Sequence, residues 1–286
     1  MLANYAVDPT LFARCIDLID SIFPGIKKIA ITGMKYHACW DKNSSPFIIE
    51  EKGEIIAHLG IIPLDIILNR KSIRVAALHG ICVKESFRGK GLFKQLMQEA
   101  LIYIENNFDA SLLFTDQPDL YKRYNFTVLP EYDFVVNADD SVKVKTDLRT
   151  LSLDNPDDFK IIHRLLSDHL PLSNQMSVIN ETTIFILDTL DKKIYFSPYL
   201  NALIIYEVML DTLYIKDILS QKKYKLNEMI SLIPENFNKV VLQFCPDKFN
   251  DQTYTPALSK PECSIMVSEN FRFEGKFFRY PETYRC

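Results

Sequence analysis

The sequence predicts an α+β fold, a mixed β-sheet flanked by helices and built twice along the chain. Three observations carry this. β-rich runs between residues 47 and 83 are joined by short polar turns. The last of them opens through a glycine turn into a long amphipathic segment. The same order of elements then recurs in outline beyond residue 150.

Residues 9–23 carry Leu11, Phe12, Cys15, Ile16 and Ile19 at helical spacing, behind an Asp8-Pro9 start signal. A short helix or loop around Gly33 to Cys39 leads to Trp40. Phe47–Glu50 and Ile55–Ile62 flank the polar turn Glu51-Lys52-Gly53-Glu54 and predict a hairpin, with Pro63 bending or ending its second strand. Ile66–Leu68, a turn over Asn69–Ser72, and Ile73–Leu78 continue the meander. From Leu92 to Glu105, Leu92, Leu96, Ala100 and Tyr103 form one apolar row. Phe93, Met97, Leu101 and Ile104 form the next, which predicts a helix with a broad buried face. Ala110–Thr115 reads as a strand, Asp119–Tyr124 as a short helix, and Phe126–Val136 as strand-like.

The polar run Asn137–Ser141 breaks the pattern, which gives two domains, 1–140 and 150–286. In the second, a helix is predicted over Asp157–His169. Strands are predicted near Lys193–Phe196, Leu203–Leu210, Leu213–Leu219, Lys239–Cys245, Cys263–Val267 and Lys276–Arg279, with a helix over Leu226–Ile233. Where the first half has glycines, the second has Ser220-Gln221-Lys222-Lys223-Tyr224-Lys225. The repeat has no glycine turn of its own. An unrelated α+β cap is the alternative reading of this half.

The length exceeds what one ordinary domain needs, at 286 residues, and supports the two-domain division. Net charge is −4, which argues against general nucleic-acid binding. The six cysteines, Cys15, Cys39, Cys82, Cys245, Cys263 and Cys286, are scattered and include no CxxC pair. That pattern predicts free thiols and no zinc site. No basic segment followed by an apolar run opens the chain, and no uncharged run approaches the roughly 20 residues of a membrane span. The expected protein is soluble and cytoplasmic, with no nucleic-acid or membrane partner.

The informative stretch runs from Leu78 to Phe93. Only eight glycines occur in the chain, and Gly80, Gly89 and Gly91 are three of them. A strand that turns through glycine into a helix leaves amides unpaired at the helix start, where the helix dipole favours an anion. Arg88-Gly89-Lys90-Gly91-Leu92-Phe93 resembles the Q/R-x-x-G-x-G/A signature of the GNAT N-acetyltransferase superfamily. Phe93 stands where that family has Gly or Ala. Downstream, Tyr121-Lys122-Arg123-Tyr124-Asn125-Phe126 is similar to the family's Y-x-x-x-G-F segment, with Asn125 for Gly. The resemblance covers residues 5–135, and a degenerate second half looks like the Eis-like branch. It implies a tandem of two GNAT-like domains, the first binding acyl-CoA and the second shaping the acceptor site.

The resemblance implies a reaction as well. Acetyl would pass from acetyl-CoA, the co-substrate, directly to a primary amine on a small molecule or peptide, with no metal. The amides of Arg88, Gly89, Lys90, Gly91, Leu92 and Phe93 would hold the pyrophosphate. The backbone of Ile81, Cys82 and Val83 would pair with the pantetheine arm. Tyr121 would protonate the leaving thiolate, with Tyr124 as an alternative donor. The base stays open: His79, on the strand before the turn and by strand alternation on the face of Ile81, or the carboxylate of Cys286, since in Eis-like enzymes the C-terminal carboxylate serves. Asp116 is a candidate for binding the substrate ammonium. From the residues alone, Lys84, Arg88, Lys90 and Lys94 form a positive patch. Cys82 reads as core, as do Phe271, Phe273, Phe277, Phe278 and Tyr280. The rival reading is a non-catalytic acyl-CoA-binding or protein-interaction module.

Overall fold

The computed structural model describes residues 1–137 and 148–285. Most of the expected break at Asn137–Ser141, the boundary residue 140 and Cys286 lie outside them.

The first half opens with α1 (Leu11–Ile22), α2 (Ile26–Met34) and α3 (Trp40–Asn43), followed by β1 (Ser45–Glu51), β2 (Glu54–Leu68) and β3 (Lys71–Val83). A single 3-10 turn over Glu85–Phe87 precedes α4 (Leu92–Asn107), β4 (Ala110–Thr115), α5 (Asp119–Lys122), β5 (Phe126–Val128) and β6 (Tyr132–Asn137). The second half holds β7 (Arg149–Leu151), α6 (Pro156–Ser167), β8 (Met176–Ile179), α7 (Thr183–Thr189), β9 (Ile194–Ser197) and β10 (Ala202–Met209). It continues with β11 (Thr212–Ser220), α8 (Leu226–Ile230), β12 (Lys239–Leu242), β13 (Thr255–Leu258) and β14 (Ser264–Ser268). The expected long helices and hairpins are present, Lys35–Cys39 is loop, and α2, α3, β7, β8, α7 and β13 are additions.

Two expectations change. Pro63 neither bends nor ends β2, which runs through it. The residue falls in a gap on one edge, where β1 stops opposite Ile61 and β8 begins opposite Asp65. No ladder bond is demanded there, so a residue without an N–H fits. Lys276–Arg279 is not a strand. It makes one isolated bridge, Phe278 to Glu131, and its aromatics fill the core instead.

The sheets share one pattern. The first orders its strands β1-β2-β3-β4-β14-β5, with β8 beside β2. The second runs β13-β6-β12-β11-β10-β9-β7. Read from opposite ends, β9, β10, β11, β12, β6 and β13 occupy the places of β1, β2, β3, β4, β14 and β5. In both, an antiparallel pair is followed by one parallel contact, β3 to β4 and β11 to β12. The fifth place in each sheet is filled from the other half. β14 inserts between β4 and β5, and β6 between β12 and β13. The chain exchanges one strand each way, and the sheets do not follow its midpoint.

This exchange merges the cores. Ile62, Leu64, Leu112 and Ile265 of the first sheet join Leu203, Leu213, Val240 and Leu242 of the second in one buried cluster. The opposite face of the first sheet packs Leu59, Ile61, Leu78 and Leu113 under Leu96, Met97 and Ala100 of α4. Leu11, Cys15, Ile16 and Ile19 of α1 cover Ile55 and Cys82. Buried area of this kind is the main favourable contribution to folding. Asn155 caps α6, accepting from the Asp157 and Asp158 amides, with Pro156 at its first position. Among the described residues no helix is long and apolar enough to cross a membrane.

A fragment of residues 1–137 is therefore expected not to fold alone, because β4 and β5 lose the strand between them. It will show no cooperative unfolding transition in urea followed by circular dichroism, whereas co-expression with residues 148–286 restores one.

Candidate functional site

Parallel pairing between β3 and β4 covers only Val75–Leu78 against Ala110–Leu113. Beyond it β3 runs on to Val83 with β2 on one edge and no partner on the β4 side among the described residues. The two strands splay, and on that side residues 79–83 have no strand partner among the described residues, the Val83 carbonyl being met by Arg88 Nε.

The glycine turn lies at its mouth. Gly89 and Gly91 have φ of +77° and +81°, and a Cβ built on either meets nothing within 4 Å. Both are turned to open space in a conformation that favours glycine. The Arg88 amide donates to the Glu85 carbonyl and the Gln95 amide to Gly91. The amides from Gly89 to Lys94 find no backbone acceptor among the described residues. Free amides, open space and the start of α4 make a cradle suited to phosphate. Cations surround it unevenly. Lys84 is engaged by Glu54, so it leaves the expected patch. Arg88 rests its Nε 3.3 Å from the Val83 carbonyl, and the Lys90 ammonium sits 4.5 Å from the Phe87 ring centre. Arg123, which sequence reading passed over, stacks on Phe93 at 5.8 Å and on Tyr124 at 5.2 Å.

Phe93, the departure from the small residue at the end of the signature, packs edge-on against both Tyr121 and Tyr124 at 5.7 and 5.8 Å. It braces the tyrosine segment against the turn. Asn125 has φ of +61°, the backbone a glycine would take, so the substitution there is conformationally satisfied. Tyr121 is 7% exposed. Burial pushes its phenol up to about 12, with Thr115 at the end of β4 hydrogen-bonding in the opposite sense and the charge of exposed Asp116 adding to the rise. A phenol held there is protonated at neutral pH and is a donor. Asp116 also acts on Cys263, as does Arg285, whose guanidinium lies 4.9 Å over the Phe114 ring of β4. Ile81, Val83, Arg88 to Phe93, Tyr121 and Asp116 are thus brought around one opening.

His79 is placed differently from its expected face. Gly60 pairs with His79 and His58 with Cys82, so Leu59 alone opposes Gly80 and Ile81. This is a β-bulge, with Gly80 at φ +56°. The extra residue reverses the alternation. His79 shares the α1 face with Cys82 and His58, while Ile81 faces α4. A glycine inside a strand run was the available signal. His79 is buried, and Gly60 leaves the room for it, since a Cβ on that residue would overlap the imidazole. Trp40 Nε1–H, which can only donate, lies 3.2 Å from His79 Nε2, and Ser44 Oγ lies 2.7 Å from it. The Nε2 lone pair is therefore engaged and the proton sits on Nδ1, which has no partner among the described residues. Burial, then the charge of His58, lowers its basicity well below the usual range. Cys82 is buried in the α1 cluster, its thiol pushed up to about 12 by burial. Cys286 lies outside the described residues.

The second sheet repeats the splay. β11 pairs with β12 over Thr212–Ile215 and then runs on to Ser220. Here the opening is filled by the chain itself. The Arg279 amide donates to Cys245 Sγ at 3.3 Å, and the Thr283 hydroxyl to the buried Asp217 carboxylate at 2.5 Å. Arg279, 2% exposed, is held among Glu131, Asp133 and Glu282, and Arg285 donates to Glu131 at 2.6 Å.

Residues 13–129 match the family model described as an acetyltransferase (GNAT) domain. Over 84 residues, 29% of this chain, the sequence is 25% identical to the uncharacterized N-acetyltransferase YhbS of Escherichia coli, and it spans about half of that relative's length, 49%. Among solved structures, a probable N-acyltransferase of unknown function from Enterococcus faecalis superposes with a TM-score of 0.60 at 13% identity. The match covers 93% of this chain and 70% of that one. Eis1 from Mycobacterium abscessus superposes at 0.57 with 11% identity, over 90% and 71%. These likenesses extend the shared fold across both halves.

Burial holds His58 down to about 4, against the Gly80 carbonyl that its Nδ1 meets at 2.8 Å. Its folded value lies below its unfolded one near 6.5. The unfolded chain therefore binds the extra proton, and stability falls as pH drops from about 6.5 to 4, by about 3 kcal/mol for this residue. Urea unfolding at pH 7 and pH 5 is expected to show the loss, with a shallower pH slope in His58→Gln.

Proposed function

We propose, on the premise that residues 13–129 are a GNAT acetyltransferase domain, that the chain transfers an acetyl group from acetyl-CoA to a primary amine. The observation that carries this reading is the opening between β3 and β4. Unpaired strand backbone, the Gly89–Gly91 cradle and the Tyr121 phenol converge on it, in a half whose counterpart is filled by its own chain.

The roles follow from position. Amides from Gly89 to Phe93, with Arg88 and Lys90, take the pyrophosphate; Lys94 and Arg123 add positive potential nearby. Backbone groups of Ile81, Cys82 and Val83 pair with the amides of the pantetheine arm, and an amide of this strand faces the thioester carbonyl, where an oxyanion develops. Acetyl-CoA supplies the activated acyl group. The amine attacks the carbonyl carbon, a C–N bond forms as the C–S bond breaks, and Tyr121 gives its proton to the departing sulfur. The resulting phenolate recovers a proton from solvent. His79 offers no free lone pair for the amine proton. Asp116 is left to hold the ammonium at the rim, and solvent to accept the proton. Direct transfer in a ternary complex needs no covalent enzyme intermediate, which agrees with Cys82 being buried with its thiol pushed up.

Two variants separate binding from transfer. Tyr121→Phe keeps the ring packing with Phe93 and is expected to retain acetyl-CoA affinity while kcat falls about 100-fold or more across an amine panel. Gly91→Val places a branched residue at positive φ and fills the cradle. It is expected to raise the acetyl-CoA Kd more than about tenfold in calorimetry, while the strain at positive φ lowers the melting temperature by only about a few degrees and the chain stays folded. If CoA binds and the unmodified chain acetylates none of the amines offered, the non-catalytic acyl-CoA-binding module is the correct reading. The cytoplasm, where acetyl-CoA and free thiols coexist, is the location this activity fits.

A further inference from the structure

Beside the filled opening of the second sheet is a small cavity of about 90 Å³. It is lined by Leu170, Ile218, Tyr224 and Phe249, and at its rim by Lys222, Lys223 and Lys248. No carboxylate is among the lining residues. Lys222 and Lys223 are exposed and form no ion pair among the described residues. Lys248 reaches the Pro171 carbonyl at 2.5 Å and is partly buried. Asp247 next to it is turned away, accepting from the Ser173 hydroxyl and the Asn174 amide. The Leu170 amide donates to Ser220, which closes the loop after α6 along the end of β11.

The position is as informative as the charge. β11 runs past its last parallel pair as β3 does, and the segment after its end leads into α8 as the glycine turn leads into α4. The cavity therefore lies at the place in the second sheet that corresponds to the phosphate cradle of the first. The opening that would hold the rest of such a ligand is closed by Arg279–Tyr284.

We propose that the cavity rimmed by Lys222, Lys223 and Lys248 is a second anion site, which binds a small phosphate or phosphate ester and not an acyl-CoA. Three ammonium groups around an apolar floor concentrate positive potential at the cavity mouth, with Lys248 the least solvated of them. Burial lowers the basicity of Lys248, with Lys223 acting in the same sense and Asp247 against it; an arriving dianion offsets that burial. The site is independent of the acetyl-transfer reading, since none of its residues borders the first opening.

The test uses the full chain carrying Arg88→Ala and Lys90→Ala, so that the first turn lacks its cations. Inorganic pyrophosphate is titrated at 0.15 M salt and backbone amide shifts are followed by NMR. Saturable shifts at residues 220–224 and at Lys248 are expected. Adding Lys222→Ala with Lys223→Ala should weaken the affinity at least about tenfold, the loss of one charge-assisted contact. These two lysines are exposed, so the double variant folds even where Lys248→Met does not. The proposal is overturned if no saturable shift appears, if shifts stay at residues 89–93, or if the double variant leaves the affinity unchanged.

Discussion

The ladder between β3 and β4 ends at Leu78 and Leu113, and the chemistry available to the first half depends on where it ends. A parallel pair continued to Val83 would satisfy its own backbone and leave nothing to recognise. Stopped early, it leaves peptide groups that must bond to water or to a ligand. The neighbours keep the gap open. β14 fixes the far edge of β4, β2 fixes the far edge of β3, and the bulge at Gly80 turns Ile81 toward α4. Phe93 then ties the turn to Tyr121, so the group that donates a proton and the groups that hold phosphate belong to one packed unit.

The two halves show how one register yields two outcomes. β3 and β11 both overrun a short parallel contact. In the first half glycines follow, and amides stay free. In the second, Asp217 and Cys245 are bonded to Thr283 and Arg279, and buried charges around Glu131 hold that segment in place. Breaking such a network strands a buried charge and costs several kcal/mol, although the intact network adds little over an apolar equivalent. Its effect is to make the filled state the one well-defined arrangement of the second opening.

Local signals were the legible ones. The apolar rows of α4, the strand over Ala110–Thr115 and the turn at Arg88–Gly91 follow from periodicity and glycine placement, and the structure keeps them. The misreadings share a cause in long-range pairing. Pro63 looked like a strand end because the gap between β1 and β8 is invisible along the chain. His79 looked aligned with Ile81 because alternation assumes a regular strand, although Gly80 advertised the bulge. Lys84 looked free because its partner Glu54 is remote in sequence. Arg123 and Thr115 join the site only once α5 folds back to the end of β4, and no spacing rule announces that.

The exchanged strands also bear on how the protein is made. Translation releases β4 and β5 long before β14, so on a nascent chain the outer edge of β4 stays unpaired until Ser268 has left the ribosome. An unpaired edge is an open template for pairing with other chains. β6, already synthesised, cannot dock either until β12 appears. The second sheet has all its strands once Leu258 is out, and the first waits for β14. The sheets close in order, the second before the first, so the phosphate cradle acquires its final support only after Ser268 has emerged.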